Sequence, residues 1–261
     1  MTGIHEFLHT PVARGLAQAM VVSGLALAVA ALGRLRQIRL GRKTLIALVR
    51  GLSQMLAVGL VLVWILKGPP WWSVPVLAAM CATAAKMASR RAKSVPRAYW
   101  LCLRSIATGA ATVIAIMTLV GVIGFRSMAL IPLGSMIVAN SMNTCSQVLE
   151  RLASDLRQNA GRVEAALSLG ASPAQAALPY ARNAANAALI PSLNSLRSLG
   201  IVWIPGFAAG MLLTGSDPVY TAIYQFMVIA MIYAASGLTA LVAAQGYERL
   251  AFREERLLLS R

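Results

Sequence analysis

The chain has 261 residues, 58% of them hydrophobic, with a mean hydropathy of +0.70 and a formal net charge of +16 at pH 7. That apolar content excludes a disordered chain and exceeds what a soluble core of this size needs, which leaves lipid as the fitting solvent. Basic charge in a soluble protein points to nucleic acid; here membrane topology accounts for it, and no nucleic-acid partner is expected.

At the start, His5-Glu6-Phe7-Leu8-His9 matches the His-Glu-x-x-His zinc signature. That chemistry needs a long helix, a third ligand and a covered cleft. These are the only two histidines, and the next acidic residue after Glu6 is Glu150. The segment therefore reads as an amphipathic surface turn. The first apolar run, 15–33, contains Ala28-Val29-Ala30, which has the small residues of a signal cleavage site. No basic cluster precedes the run and five basic residues follow it, the pattern of an uncleaved helix.

Seven segments are long enough to cross a hydrocarbon core of about 30 Å: 15–33, 45–66, 71–89, 105–124, 128–148, 187–213 and 218–245. Strand-like alternation is absent, and Ala, Leu, Val and Met favour helix. The expected fold is an all-α integral membrane bundle of about seven transmembrane helices, one permease-like domain over 1–261. Arg34, Arg36, Arg39, Arg42 and Lys43 follow the first span; Lys86 at the end of the third joins Arg90, Arg91, Lys93, Arg97 and Arg104 after it. Arg151, Arg157, Arg162 and Arg182 follow the fifth, and Arg249, Arg253, Arg256 and Arg261 end the chain. Nineteen of the 24 Lys and Arg thus fall on one side of a seven-span bundle. The positive-inside rule then puts the N-terminus outside and the C-terminus in the cytoplasm of a bacterial inner membrane.

Within the second span, Arg50 can snorkel to the interface, while Gln54 lies one turn deeper on the same face. Cys81, Cys102 and Cys145 have neither metal spacing nor a disulfide pattern and read as buried free thiols. In the fifth span, Pro132, Met136, Asn140, Asn143 and Gln147 follow steps of four, four, three and four, which keeps them on one helical face. Two readings fit: a wet translocation pathway, or hydrogen bonds between packed helices. Met136, Asn140 and Met142 offer soft sulfur and neutral oxygen to a metal ion; packing explains the methionines equally well.

Leu149 to Asn186 forms an expected cytosolic loop, longer than a connection between packed helices requires. Gly170 ends one short helix in it and Ser172-Pro173 opens a second. Val163, Ala166, Leu167 and Leu169 make an apolar patch among Arg157, Arg162 and Glu164. The loop suits either docking of a soluble partner or an amphipathic helix lying on the membrane. In the sixth span, Arg197 is too costly to face lipid and is expected to face the bundle or a cavity. Ile204-Pro205-Gly206 is expected to break that span, as broken helices at membrane depth border substrate cavities. Asp217-Pro218 reads as the N-cap and first turn of the seventh.

Glu164-Ala165-Ala166, followed after Leu167-Ser168-Leu169 by Gly170, resembles the EAA coupling loop of ABC-transporter permeases. The resemblance implies that Glu164, Ala165, Ala166, Leu167, Leu169 and Gly170 dock on a separate ATPase. The Ile-x-Leu-Pro tail of the importer motif is not matched, since Ala177-Leu178-Pro179 comes too early. A wider similarity joins Ile131-Pro132 through Asn140 and Met142, Leu167 to Pro173, Ala188-Leu189-Ile190-Pro191, Pro205-Gly206, Asp217-Pro218 and Tyr224-Gln225, with Arg50 and Gln54. These resemble the FetB-like permeases of bacterial iron-export ABC transporters, which are related to plant aluminium-tolerance permeases. The resemblance implies a permease homodimer with two copies of an ATPase chain, moving a metal ion such as iron out of the cytoplasm by alternating access.

No Gly-x-x-x-x-Gly-Lys-[Ser/Thr] phosphate loop is present, so ATP and Mg are expected on the partner and no cofactor on this chain. The absence of paired carboxylates or a Ser/His/Asp set argues against an enzyme. The rival readings are the same machine acting as an importer or on another solute, and an ATP-independent carrier or scaffold. No internal duplication is evident, which disfavours an inverted-repeat carrier.

Overall fold

The computed structural model describes residues 11–35, 41–66, 68–92, 95, 97–124 and 127–253. The His5–His9 motif and Arg36, Arg39, Lys67, Lys93, Arg126, Arg256 and Arg261 lie outside the described residues. Every named element is helical, and the one bridge of strand type, Leu199 with Trp203, stands alone among the described residues.

The chain divides into two compact units, Met1–Gly68 and Pro69–Arg261. The first pairs α1 (Pro11–Leu35) with α2 (Gly41–Leu66). Both expose apolar side chains around most of their length, with Arg50 and Gln54 among the exceptions on α2: Met20, Val21, Leu25 and Val29 of α1 and Val49, Met55, Leu56 and Leu60 of α2 are exposed. A helix that is hydrophobic all round without a protein core to bury it is a membrane span.

The second unit begins with a 3₁₀ turn, Pro70–Trp72, and continues through α3 (Ser73–Arg91), α4 (Ala98–Leu119) and the 32-residue α5 (Ser127–Gln158). After α5 come the short α6 (Ala160–Ser168), α7 (Pro173–Ser198), the eight-residue α8 (Gly206–Leu213) and the 36-residue α9 (Pro218–Arg253). Helix α9 is the central post, packed against α4, α5, α7 and α8, while α3 closes the far side against α4 and α5. Small residues set these crossings, because apolar side chains gain little by leaving lipid and close backbone approach supplies the packing. A Cβ on Gly109 of α4 would sit 2.7 Å from the Ala235 carbonyl of α9 and collide with Thr239. Ala184 and Ala188 of α7, with Ala235, Ala240 and Ala243 of α9, are buried in the same core. Ser192 donates to Ser236 at 3.4 Å across α7 and α9.

Four described helices are long and apolar enough to cross a membrane: Gly15–Gly33, Thr44–Val61, Ala98–Leu119 and Pro218–Tyr247. The segments expected at 71–89 and 128–148 are also helical, as α3 and the first part of α5, but carry more polar residues.

The segment expected as one span at 187–213 is not continuous: α7 stops at Ser198 and the chain turns irregularly until α8 starts at Gly206. The expected break at Pro205-Gly206 is present and opens seven residues earlier. Gly200 sustains it at φ +77°, a backbone region that side chains oppose. The loop expected over 149–186 is largely helix as well. Helix α5 runs on to Gln158, and α7, far from short, starts at Pro173 and continues through Asn186. Alanine-rich sequence propagates helix once capped. Pro179 and Pro191 lie inside α7 without ending it.

Candidate functional site

Four features of the second unit carry polar chemistry. The first is the turn around α6. Val163 is 1% exposed and anchors the helix in the core, with Ala166 and Leu167 half-buried beside it. Glu164, Ala165 and Gly170 are exposed, and Leu169 is 89% exposed. Gly170 has φ +89°, and its N–H reaches the Leu167 carbonyl while that of Ala171 reaches Ala166, both at 3.0 Å. This is a Schellman stop, which favours glycine at that position. Ser172 then caps α7 in a capping box: Gln175 N–H donates to Ser172 Oγ at 3.3 Å, and Ser172 N–H donates to Gln175 Oε1 at 2.8 Å. A rigid knob is therefore held between two long helices, with an acid, a small alanine and a bare leucine on its outer side.

The second feature is the α5 face. Pro132, Asn143 and Gln147 are exposed, and Met136 and Asn140 are half-buried along the same side. The Asn140 side-chain NH₂ donates to the Met136 carbonyl at 2.9 Å, which fixes its amide oxygen outward from the helix backbone. Met142 lies two positions, about 200°, around the helix from Asn140. Met136 and Asn140 are thus neighbours and Met142 is on another side. No group of three or more His, Cys, Asp or Glu gathers among the described residues.

The third is a cleft of about 380 Å³ where the charged end of α5 passes α7. Helix α5 lines it with Gln147, Glu150, Arg151, Ser154 and Asp155; Ala187 and Ala188 of α7 face them. Arg151 Nε lies 3.9 Å from Asp155 Oδ2. Glu150, Ser154 and Asp155 were not expected as site residues, although they continue the face that begins at Pro132.

The fourth is the gap between α7 and α8. The Ser192–Ser236 bond sets the register of α7, and the Phe207–Tyr224 contact further along the chain but earlier on α9 shows that the two run in opposite senses. Ser236 lies 18 residues, about 27 Å, along α9, and Ser198 is six residues, about 9 Å, beyond Ser192. The gap therefore opens about 18 Å down α9, inside its apolar stretch and not at its end. Ile201, Val202 and Ile204 are exposed there, Pro205 is buried at the start of α8, and Phe207 stacks on Tyr224 at 5.8 Å. Arg197, expected to face the bundle or a cavity, is exposed on the last turn of α7, where its charge complements the carbonyl end of the helix. Asp217 caps α9 as expected, its Oδ1 accepting the Tyr220 N–H at 2.8 Å. One turn beyond, Thr221 and Gln225 point into the core; Gln225 is 3% exposed, and neither amide atom has a hydrogen-bond partner. Arg50 and Gln54 are exposed one turn apart on α2 of the first unit.

Apolar helices that lack a covering core define an all-helical integral membrane protein. Residues 16–252 match the Uncharacterised protein family (UPF0014), and the chain belongs to that family. It is 34% identical to the UPF0014 membrane protein slr1647 of Synechocystis over 80% of this chain and 83% of the relative. It is 31% identical to the "Probable iron export permease protein FetB" of Escherichia coli, covering 74% of this chain and 75% of the relative. With the "Protein ALUMINUM SENSITIVE 3" of Arabidopsis thaliana the identity is 29%, covering 74% and 71%. No solved structure matches the chain.

Proposed function

We propose that this chain is the membrane subunit of an ATP-driven transporter that moves iron or a related metal ion out of the cytoplasm. A separate cytosolic ATPase, in two copies, docks on the α6 turn of a permease homodimer and supplies the energy. The observation that carries this reading is the α6 knob: it is pinned by Val163, closed by Gly170 and bare at Glu164, Ala165 and Leu169. An exposed leucine beside an acid on a short rigid turn suits a groove in a soluble partner. The metal cargo follows the name of the Escherichia coli relative. The charged helix ends then face the cytoplasm of the bacterial inner membrane, with the N-terminus outside.

In this reading the α5 face and the α7–α8 gap border the pathway. Irregular backbone and amide side chains at membrane depth need protein or water around them, since lipid offers no hydrogen bonds. A second permease copy and a wet cavity between the two supply both. Closure of the ATPase pair pushes α6, and α5 and α7, which flank it, transmit the push to the gap.

The test is the metal content of cells lacking the chain. Iron should rise in them and return to the parental level when the chain and its ATPase are restored. A fall in iron on deletion would reverse the direction of transport, and no change for any metal would refute the cargo.

A further inference from the structure

The corner between α3 and α4 carries charge that its own surroundings do not answer. Lys86, Arg90 and Arg91 fall in the last two turns of α3, and Arg97 and Arg104 flank the start of α4; all five are exposed. No Asp or Glu occurs between Glu6 and Glu150, so this stretch supplies no carboxylate to them. Among the described residues the ion pair is Arg151 with Asp155 on α5, and none of the five joins it. On α4, Arg97, Trp100 and Arg104 are spaced by three and four residues, which puts them on one face, and Trp100 is 63% exposed. Tyr99, half-buried against the core, meets the Trp100 ring edge-on at 5.5 Å. The same face continues through Thr108, Ala111 and Ala115 to Leu119, all exposed, within the apolar span Ala98–Leu119. One strip thus runs from guanidinium through indole to bare alkyl groups, the order met on passing from lipid headgroup to acyl chain.

We propose that this face of α4 is a docking site for anionic phospholipid, with Arg97 and Arg104 taking phosphates and Trp100 lying between them at headgroup level. The two arginines are seven residues, about 10 Å, apart along the helix, which serves two neighbouring headgroups and needs no convergence on one point. Guanidinium matches phosphate oxygens in pairs, and indole prefers the interface, where its N–H stays wet and its ring does not. Helix α3 packs on α4 and extends the positive field with Lys86, Arg90 and Arg91. A soluble partner would have to enter the bilayer to cover Trp100 and the alkyl strip beyond it. Lipid is the occupant that fits the whole face. The site needs only the membrane class established above; neither cargo nor ATPase enters it.

The test is native mass spectrometry of the full chain released from mixed micelles holding phosphatidylglycerol and phosphatidylcholine in equal amounts. The natural chain should retain phosphatidylglycerol in preference. Arg97→Gln with Arg104→Gln should lower that preference about tenfold or more, at about fivefold per arginine. Arg97→Lys with Arg104→Lys keeps the charge and should lose less. Melting temperature in neutral detergent should be alike for all three, because these side chains are exposed. Added phosphatidylglycerol should raise it for the natural chain and not for the Gln pair, an effect that a merely structural role would not produce. Brominated phosphatidylglycerol should quench the natural chain's fluorescence more than brominated phosphatidylcholine, and Trp100→Phe should shrink that difference. Equal retention of the two lipids by the natural chain, or an unchanged preference in the Gln pair, would overturn the proposal. If that pair kept the lipid and instead lost the proposed ATPase, the corner would belong to the soluble partner. Displacement of the lipid by glycerol phosphate, the headgroup without its chains, would also overturn it in favour of a free phosphate ester.

Discussion

Replacing Gly170 tests the α6 turn most directly, because the cost is purely one of backbone conformation. At φ +89° a Cβ would meet nothing within 4 Å, so no clash contributes. A side chain in the left-handed region costs about 1–2 kcal/mol, while Asn tolerates it better through local hydrogen bonding. The turn can relieve that strain only by giving up the Gly170–Leu167 and Ala171–Ala166 bonds, which would tilt α6 and move Leu169. If the ATPase recognises the native turn, a strain of about 1–2 kcal/mol lowers its affinity by about 5- to 30-fold. Gly170→Asn should lose least, Gly170→Ala more, and Gly170→Val most, since a β-branched residue is a genuine outlier at positive φ. The assay is the affinity between the detergent-purified chain and the proposed ATPase, with size-exclusion profiles confirming that each variant is folded. Binding by Gly170→Val within about twofold of the natural chain, or Asn no better than Val, would refute the reasoning.

Two further outcomes follow from the packing and from the proposed topology. Gly109→Ala should destabilise the bundle by about 1–3 kcal/mol, seen as a lower melting temperature in detergent, because the new methyl meets the Ala235 carbonyl on a rigid helix. Gly134→Ala should cost clearly less, since what it meets at 2.6 Å is a terminal methyl of Leu77, which can rotate away. Leu169→Cys, made with Cys81→Ser, should react with a membrane-impermeant maleimide in inside-out vesicles and not in intact spheroplasts. Cys102 and Cys145 are buried and should stay silent. Labelling in spheroplasts would turn the α6 turn outward and remove the ATPase from the account.

The helical class and the breaks were legible because apolar run lengths and Pro-Gly pairs act locally. The α5 face was read only in part. Pro132, Met136, Asn140, Asn143 and Gln147 continue, at steps of three and four, to Glu150 and Ser154. The expected span stopped at 148, where charge begins, and the cleft residues lay just past that limit. Extending the period through the charged turn would have found them. Hydropathy likewise fused α7 and α8 into one span, because Leu199 to Ile204 is as greasy as any helix. Pro205-Gly206 marked the break, but its earlier opening rests on the turn made by Gly200, and a lone glycine in an apolar run does not announce a positive φ. Arg197 was expected to face the bundle or a cavity, because its charge is costly against lipid. Its exposed position on the last turn of α7 comes from the early stop at Ser198, which periodicity did not reveal. The orphaned Gln225 amide depends on which face of α9 turns inward. A helix apolar all round gives no such direction, and only the family resemblance had marked the residue.

The uninterrupted length of α5 has a mechanical consequence. Thirty-two residues make a rod of about 48 Å. Pro132 is its only internal proline and lies near its start, so most of its length is free of the usual hinge. A swing of about 10° at the Gln158 end carries the opposite tip through about 8 Å, more than one helical pitch. In the transporter proposed above, a nudge at the Gln158 end would therefore reach the far tip directly, with no relay of small side-chain shifts in between.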